Sequence, residues 1–562
     1  MTLQKLILLL IPIVCIAASP QVRAISPPPD GCYPNFTTVE GCKALQSLST
    51  GAANTAIGWY ALFANNTGNA NTAVGAGALD LNTADNNTAV GVAALLLNTT
   101  GIDNTALGTA ALELNDSGEG NTATGAFALF SNTAGQFNTA NGEFTLYFNT
   151  IGERNTAVGD SALYSNTEGN RNTAVGNAAL VLTTIGNDNT AIGAGALQSN
   201  LGSSNTAVGA STLSANTSGN LNTATGFFAL HDNVGGAGNT AVGVSALQHN
   251  TTANLNTAVG GNALSDNTEG DENTAIGANT LSSNTTGTEN TAIGSGALSA
   301  NINGLGNTAI GFQALAINIL GQHNTAIGDG ALSGNAGAQN TAIGANALES
   351  NTDGSANTAI GRFALHNSTT GDFKIGVGHG AGTNVTTASN IICIGSDGDN
   401  VSNSCYIGNI FGATSAGGVG VIVNASGKLG TTPSSQRFKQ GIKSMATASE
   451  TLFALKPVTF HYKKEFDPTA TRQFGLVAEE VERIDPDLIA RDKEGKPYSV
   501  RYDQVNAMLL NEFLKEHKKV QELQSRMAQQ EKQIESLAAS LQKVSARLET
   551  SRPAPEVVAN TQ

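Results

Sequence analysis

The chain has 562 residues, 65 of them glycine, with 13% charged residues and a formal net charge of −15. That length exceeds what one conventional hydrophobic core organises. The acidic balance excludes non-specific nucleic-acid binding, which needs a basic surface against the phosphates.

At the N-terminus, Lys5 precedes an apolar run from Leu6 to Ala18, and Val22-Arg23-Ala24 follows with small residues in the cleavage positions. This predicts a signal peptide over residues 1–24, removed before Ile25. The run is short for a bilayer span and contains Pro12. The expectation is an exported protein, extracellular or on the cell surface, with no membrane span after processing. Residues 25–50 read as a linker or cap. The mature chain keeps Cys32, Cys42, Cys393 and Cys405. In an exported protein these permit two disulfides, Cys32–Cys42 and Cys393–Cys405 by proximity. No histidine cluster accompanies them and the spacing is not a zinc pattern, so neither a metal nor another cofactor is expected.

Residues 51–372 are repetitive. A block reading N-T-A-I/V-G-x-x-A-L-x-x-N-T-x-G-x-x starts nineteen times, at Asn54, Asn71, Asn87 and so on to Asn357. Steps are seventeen residues, with three of sixteen. So short a period means one supersecondary unit stacked on copies of itself. Seventeen residues suit one coil of a parallel β-solenoid, so the fold class is mainly β. Nineteen coils at about 4.8 Å give a shaft on the order of 90 Å. In N-T-A-I/V-G, Thr and Ile/Val share one face of an extended segment, and Asn and Ala the other. The branched residues are expected to form the core, with the asparagines in stacked amide ladders. The A-L pair starts either a second strand or a helical turn.

Two bulky residues per coil make a thin core, which argues that several chains share it, three as the first expectation. The repeats resemble, in architecture, the head repeats of trimeric autotransporter adhesins, whose shorter coils carry a similar A-I-G pattern. An ice-binding array would need the threonines outward, against the expected core face. No pair of carboxylates recurs in a fixed frame, so a glycosidase is not expected on the shaft. Trp59, Tyr60 and Phe63 in the first coil are the nearest thing to an aromatic cluster and read as a cap rather than a binding patch. A receptor-binding shaft would meet a cell-surface glycan or receptor; the monotony of the repeats also fits a plain spacer.

The period decays across residues 373–433, where the G-V-G-H-G-A-G run around His379 reads as a degenerate coil. Residues 434–512 then change character. Ser434-Ser435-Gln436-Arg437-Phe438-Lys439 leads to Ile442, followed by the strand-like Val458–Tyr462, Gly475-Leu476-Val477-Ala478-Glu479-Glu480-Val481, and Val500-Arg501-Tyr502. Over residues 513–550, Val520, Met527, Ile534, Leu541 and Leu548 recur every seven residues, with Leu523, Gln530, Leu537 and Val544 alternating. That is the seam of a coiled coil with one polar layer. Residues 551–562 read as a disordered tail.

This order of motifs, from about Leu429 to Leu548, resembles the intramolecular chaperone auto-processing domain of phage endosialidase tailspikes and other tail fibres. The resemblance implies a small α+β domain that trimerises, assists folding of the upstream β-structure, and then cuts itself off with a Ser–Lys dyad. The matching residues are Ser434 as nucleophile and Lys439 as its partner, with Pro433–Ser434 as the scissile bond. Arg437 is placed to depress the lysine pKa or steady an oxyanion. Ser435 stands where the family often has Asp, and Glu479 where it often has Gln.

Overall fold

The computed structural model describes residues 34–551, which divide into two compact units after Ala413. The expected signal peptide, Cys32 and nearly all of the tail lie outside the described residues.

The first unit is a parallel β-solenoid. Twenty-three strands, from Thr38–Glu40 to Ser404–Ile407, form one sheet. Each strand pairs in parallel with the next in sequence, Thr over Thr and Ala over Ala through the repeats. The stack begins one coil before the first expected repeat and runs three coils past the last. Ile375–Val377, Ile391–Ile394 and Ser404–Ile407 keep the pairing although the motif has decayed.

The inside of the coil is the reverse of the sequence expectation. Taking the coil that starts at Asn239, Asn239, Ala241, Ala246, Leu247 and Asn250 are fully buried, while Val242 is 39% exposed. Thr240 shares its outward side. Ala and Asn therefore point inward, and Thr with Ile/Val point outward. The geometry accounts for this. The strand lies directly across a narrow coil from the A-L segment, whose leucine fills the space, so only a methyl group fits opposite it.

The A-L segment is neither strand nor helix. Gly243, Ser245 and Leu247 have φ of 141°, 56° and 51°, and Leu255, before the next asparagine, has 57°. Alternate residues in the left-handed region bend the chain into an arc whose amides still point along the stack. Leu247 N–H donates to the Ala263 carbonyl at 2.9 Å and His249 N–H to Ser265 at 2.9 Å. A leucine with positive φ costs about 1–3 kcal/mol, sustained only where surrounding structure over-determines it. Here coil-to-coil hydrogen bonding on both sides does so.

Two asparagine ladders run through the interior. In one, each side-chain oxygen accepts from the backbone of the asparagine one coil on, as Asn239 Oδ1 does from Asn256 N–H at 3.0 Å. In the other, amides bond directly, Asn250 Nδ2 to Asn233 Oδ1 at 2.7 Å. Both ladders end at Lys374 and Ser368, in the positions of Asn357 and Asn351 one coil earlier. Lys374 is fully buried, and its ammonium bonds Ser368 Oγ and the Thr370 carbonyl. Burial pushes its pKa down to about 8.

The second unit is small. Its core of Val481, Leu488, Ile489, Val500 and Met508 is built by α1 (Ala478–Ile484), the antiparallel hairpin of Ile489–Arg491 with Pro497–Val500, and the start of the 49-residue α2 (Tyr502–Thr550); two further antiparallel hairpins contribute no residue to it. The first turns of α2 are held by Asn511, which donates to the Ala446 carbonyl at 3.1 Å and to Ser449 Oγ at 2.6 Å. Tyr502 hydroxyl accepts from Leu476 N–H at 2.9 Å.

Candidate self-processing segment

Ser434 follows the hairpin formed by Val421–Val423 and Leu429–Thr431, whose apolar side chains are all exposed. Past Ser435, residues Gln436–Phe438 make one 3-10 turn, closed by Phe438 N–H to the Ser435 carbonyl and Lys439 N–H to Gln436, both 3.0 Å. Pro433, Ser434, Arg437 and Lys439 are all exposed. Among the described residues, neither the Ser434 hydroxyl nor the Lys439 ammonium has a side-chain hydrogen bond. The Arg437 guanidinium lies over its neighbour Phe438, 4.6 Å from the ring centroid. A single copy of the chain thus sets Ser434 before the turn, Arg437 in it and Lys439 at its end, and leaves all three open to water. A lysine serves as base for a hydroxyl only where burial or nearby cations depress its pKa. A second surface would have to cover Lys439 before the dyad could work.

The same unit leaves much apolar surface uncovered. Phe453, Phe466, Phe474 and Tyr498 are 72–75% exposed. An apolar pocket of about 550 Å³ opens between Phe453 and the Leu509, Leu510 and Phe513 side of α2. Beyond its first turns, α2 leaves its apolar seam uncovered by the described residues of its own unit: Met527, Ile534, Leu537, Leu541 and Leu548 are 63–67% exposed.

The cysteine expectations resolve unevenly. Cys393 and Cys405 are free thiols, not a disulfide. They sit on adjacent strands, but Cys393 pairs with Tyr406 and Cys405 with Ile392, so one points inward and the other outward. Cys42 is an exposed thiol and its expected partner is outside the described residues. Among those residues no cluster has the composition to hold a metal ion, and no helix is long and apolar enough to cross a membrane.

One feature of the shaft escaped the sequence reading. Phe130, Tyr147 and Tyr164 fall in one column, stacked at 5.0 and 5.3 Å between ring centroids, with Phe127 on Phe144 beside them at 5.4 Å. The signal was a ring recurring at the seventeen-residue period. Because each ring face is covered by the next, the column presents edges rather than a flat platform. Glu113 stands one coil before Phe130 in the same column, 6% exposed, and burial raises its carboxyl pKa to about 7.

No curated protein and no solved structure matches this chain. Residues 434–490 match the model of a peptidase family described as chaperone of endosialidase, and the matched segment starts at Ser434 itself.

Proposed function

We propose that this is an exported homotrimeric fibre protein whose C-terminal unit brings three chains together, assists the shaft to fold, and then cleaves the Pro433–Ser434 bond. The observation that carries the reading is the family match beginning at Ser434, joined to a tail-fibre-like β-solenoid. In the reaction, the Lys439 amine takes the Ser434 hydroxyl proton, and the oxygen attacks the Pro433 carbonyl carbon. Arg437 steadies the oxyanion. As the C–N bond breaks, the amide nitrogen of Ser434 takes up the proton and an ester remains. Water then hydrolyses the ester to a Pro433 carboxylate and a free Ser434 hydroxyl. The step is intramolecular and single-turnover, so proximity supplies much of the rate and no substrate pocket is required.

A second reading has its own support. Ser434 and Lys439 lie open and unbonded, which fits a domain that trimerises without cutting and a shaft that stays attached as a structural or adhesive fibre binding a surface glycan or receptor. Intact-mass measurement and N-terminal sequencing of purified full-length chain separate the two. Self-cleavage yields a fragment starting at Ser434, and Ser434→Ala or Lys439→Ala leaves a full-length trimer. An uncut wild-type trimer favours the second reading; equal cleavage in wild type and both variants removes the dyad.

A further inference from the structure

The outward side of the shaft's sheet is uniform to a degree that no other side of the coil is. From Thr55–Ile57 to Ser404–Ile407, the first outward column is threonine through Thr358 and then Ile375, Ile392 and Cys405. The second is aliphatic in nineteen of twenty-two strands, broken at Thr124, Asn141 and Thr225. None of these positions is charged, although the chain carries 71 charged side chains. The arcs differ: one of their columns runs through Phe63, Asp80, Glu113, Tyr147 and His231.

We propose that this threonine–aliphatic face is the surface along which the shafts of sister chains lie against one another. The inference rests on the trimer reading and says which side of the coil meets the neighbouring copy. Three observations support it. Ile192, Ile276 and Ile360 are each 40–42% exposed in the single chain and recur along its length. A strip three residues wide and twenty-two coils long covers about 1,000 Å², and its aliphatic half alone matches the few hundred Å² of contiguous apolar patch that a monomer ordinarily exposes. Divided between the two sisters of a trimer it offers each roughly 500 Å², less than the roughly 800 Å² per partner of a stable interface, so it adds to the association made by α2 rather than replacing it.

Periodicity identifies the partner as another copy. Only a surface repeating at the same coil spacing stays in register along the whole strip, and a second shaft has that spacing by construction. The face also becomes more apolar towards its C-terminal end, where threonine gives way to isoleucine. Among the described residues the strand threonines make no side-chain hydrogen bond. Their hydroxyls are thus free to bond across to a facing copy.

The test uses the full chain. With Cys15, Cys32 and Cys42 replaced by serine and buried Cys393 left in place, mild oxidation should link Cys405 between chains. With Cys405 also replaced by serine, Thr173→Cys or Val175→Cys should give the link at mid-shaft, whereas Gln198→Cys on the arc should not. In parallel, Ile276→Lys, Ile293→Lys and Ile310→Lys together should part the shafts while α2 still holds the chains. The cross-sectional mass from small-angle scattering would then fall about threefold in that region. A trimer with no cross-link in either column and an unchanged cross-section overturns the face assignment but leaves the trimer. A monomer overturns both. An unlinked face that instead shapes ice crystals and gives thermal hysteresis assigns the threonines to ordered water and overturns the proposal.

Discussion

Asn138 tests whether buried amides, rather than strand pairing, hold the coils together. Its side-chain oxygen accepts from Asn155 N–H at 3.0 Å and from Asn155 Nδ2 at 3.1 Å, and its Nδ2 donates to the Gly152 carbonyl at 2.8 Å. In Asn138→Ala the Gly152 carbonyl keeps Asn149 Nδ2 at 3.1 Å, and Asn155 Nδ2 keeps the Gly169 carbonyl at 2.8 Å. The Asn155 N–H loses its acceptor outright, a loss of about 1–3 kcal/mol for a buried donor. Three further bonds, the third from Asn138 Nδ2 to Asn121 Oδ1 at 3.1 Å, at about 0.5–1 kcal/mol each bring the total to roughly 3–4 kcal/mol. Because a stacked repeat fails at its nearest-neighbour interface, the effect should be local. Hydrogen exchange followed by mass spectrometry should show amides of residues 138–155 opening about a hundredfold faster, with little change around Asn307. Exposed Asn66, bonded only to Thr67 through its side chain, is the control. If Asn138→Ala and Asn66→Ala behaved alike, the ladder would be a consequence of stacking and not its cause.

Glu113 gives a pH dependence. Its folded-state pKa of about 7 lies above the ordinary 4.5, so folding is unaffected below pH 4.5 and loses stability as pH rises towards 7. Glu113→Gln should stabilise the neighbouring coils by about 2 kcal/mol at pH 8 after allowance for solvent screening, and not at pH 4. Equal effects at both pH values, read from denaturant midpoints, would remove the burial argument. Gly243 and Gly261 make a contrasting pair. A Cβ on Gly243 would sit 2.4 Å from the Gly260 carbonyl oxygen at φ 141°, whereas one on Gly261 meets nothing within 4 Å. Gly243→Ala should therefore cost more than about 2 kcal/mol and Gly261→Ala less than about 0.5 kcal/mol. In α2, Ile534→Lys with Leu537→Lys should abolish the oligomer by light scattering; a retained trimer would move the association site off the helix.

The solenoid was legible because the asparagines, glycines and turn residues recur in a fixed frame, and each is tied to a backbone requirement that sequence displays. The direction of the strand was not. Ile57 and Val74 look like core residues beside Ala, and the reading assumed that the larger side chain goes inside. The arc leucines decide otherwise, and their conformation is hidden, since Leu62 at φ 51° is a choice no propensity favours. The aromatic column was missed for a related reason: Phe130 and Tyr147 are neighbours only after the coil closes. In the segment proposed for processing, the family was legible from its motifs, and the matched region starts at Ser434. The environment of Lys439 was not, because burial of that side chain depends on surfaces outside the sequence motif.

The uniformity of the shaft also explains why a separate device for alignment is needed. Sliding one shaft past its sister by a single coil sets threonine against threonine and isoleucine against isoleucine or valine again. On the strand face such a slip is opposed only at Thr124, Asn141, Thr225 and the isoleucine end, so a nearly uniform face fixes its register weakly. The features that break the repeat, such as the sixteen-residue steps and Lys374, lie within single chains and do not align one copy with another. The α2 seam differs, because its one polar layer, Gln530, sits among Met527, Ile534 and Leu537. Copies in register place Gln530 opposite Gln530; copies out of register set an amide against an apolar layer, the device by which coiled coils fix alignment. In the proposed trimer the helix therefore carries the register information that the shaft lacks. Gln530→Leu should then leave the helices associated while sister shafts are trapped in mixed alignments, seen as a lower yield of the inter-chain cross-link at Val175→Cys than the parent helix gives.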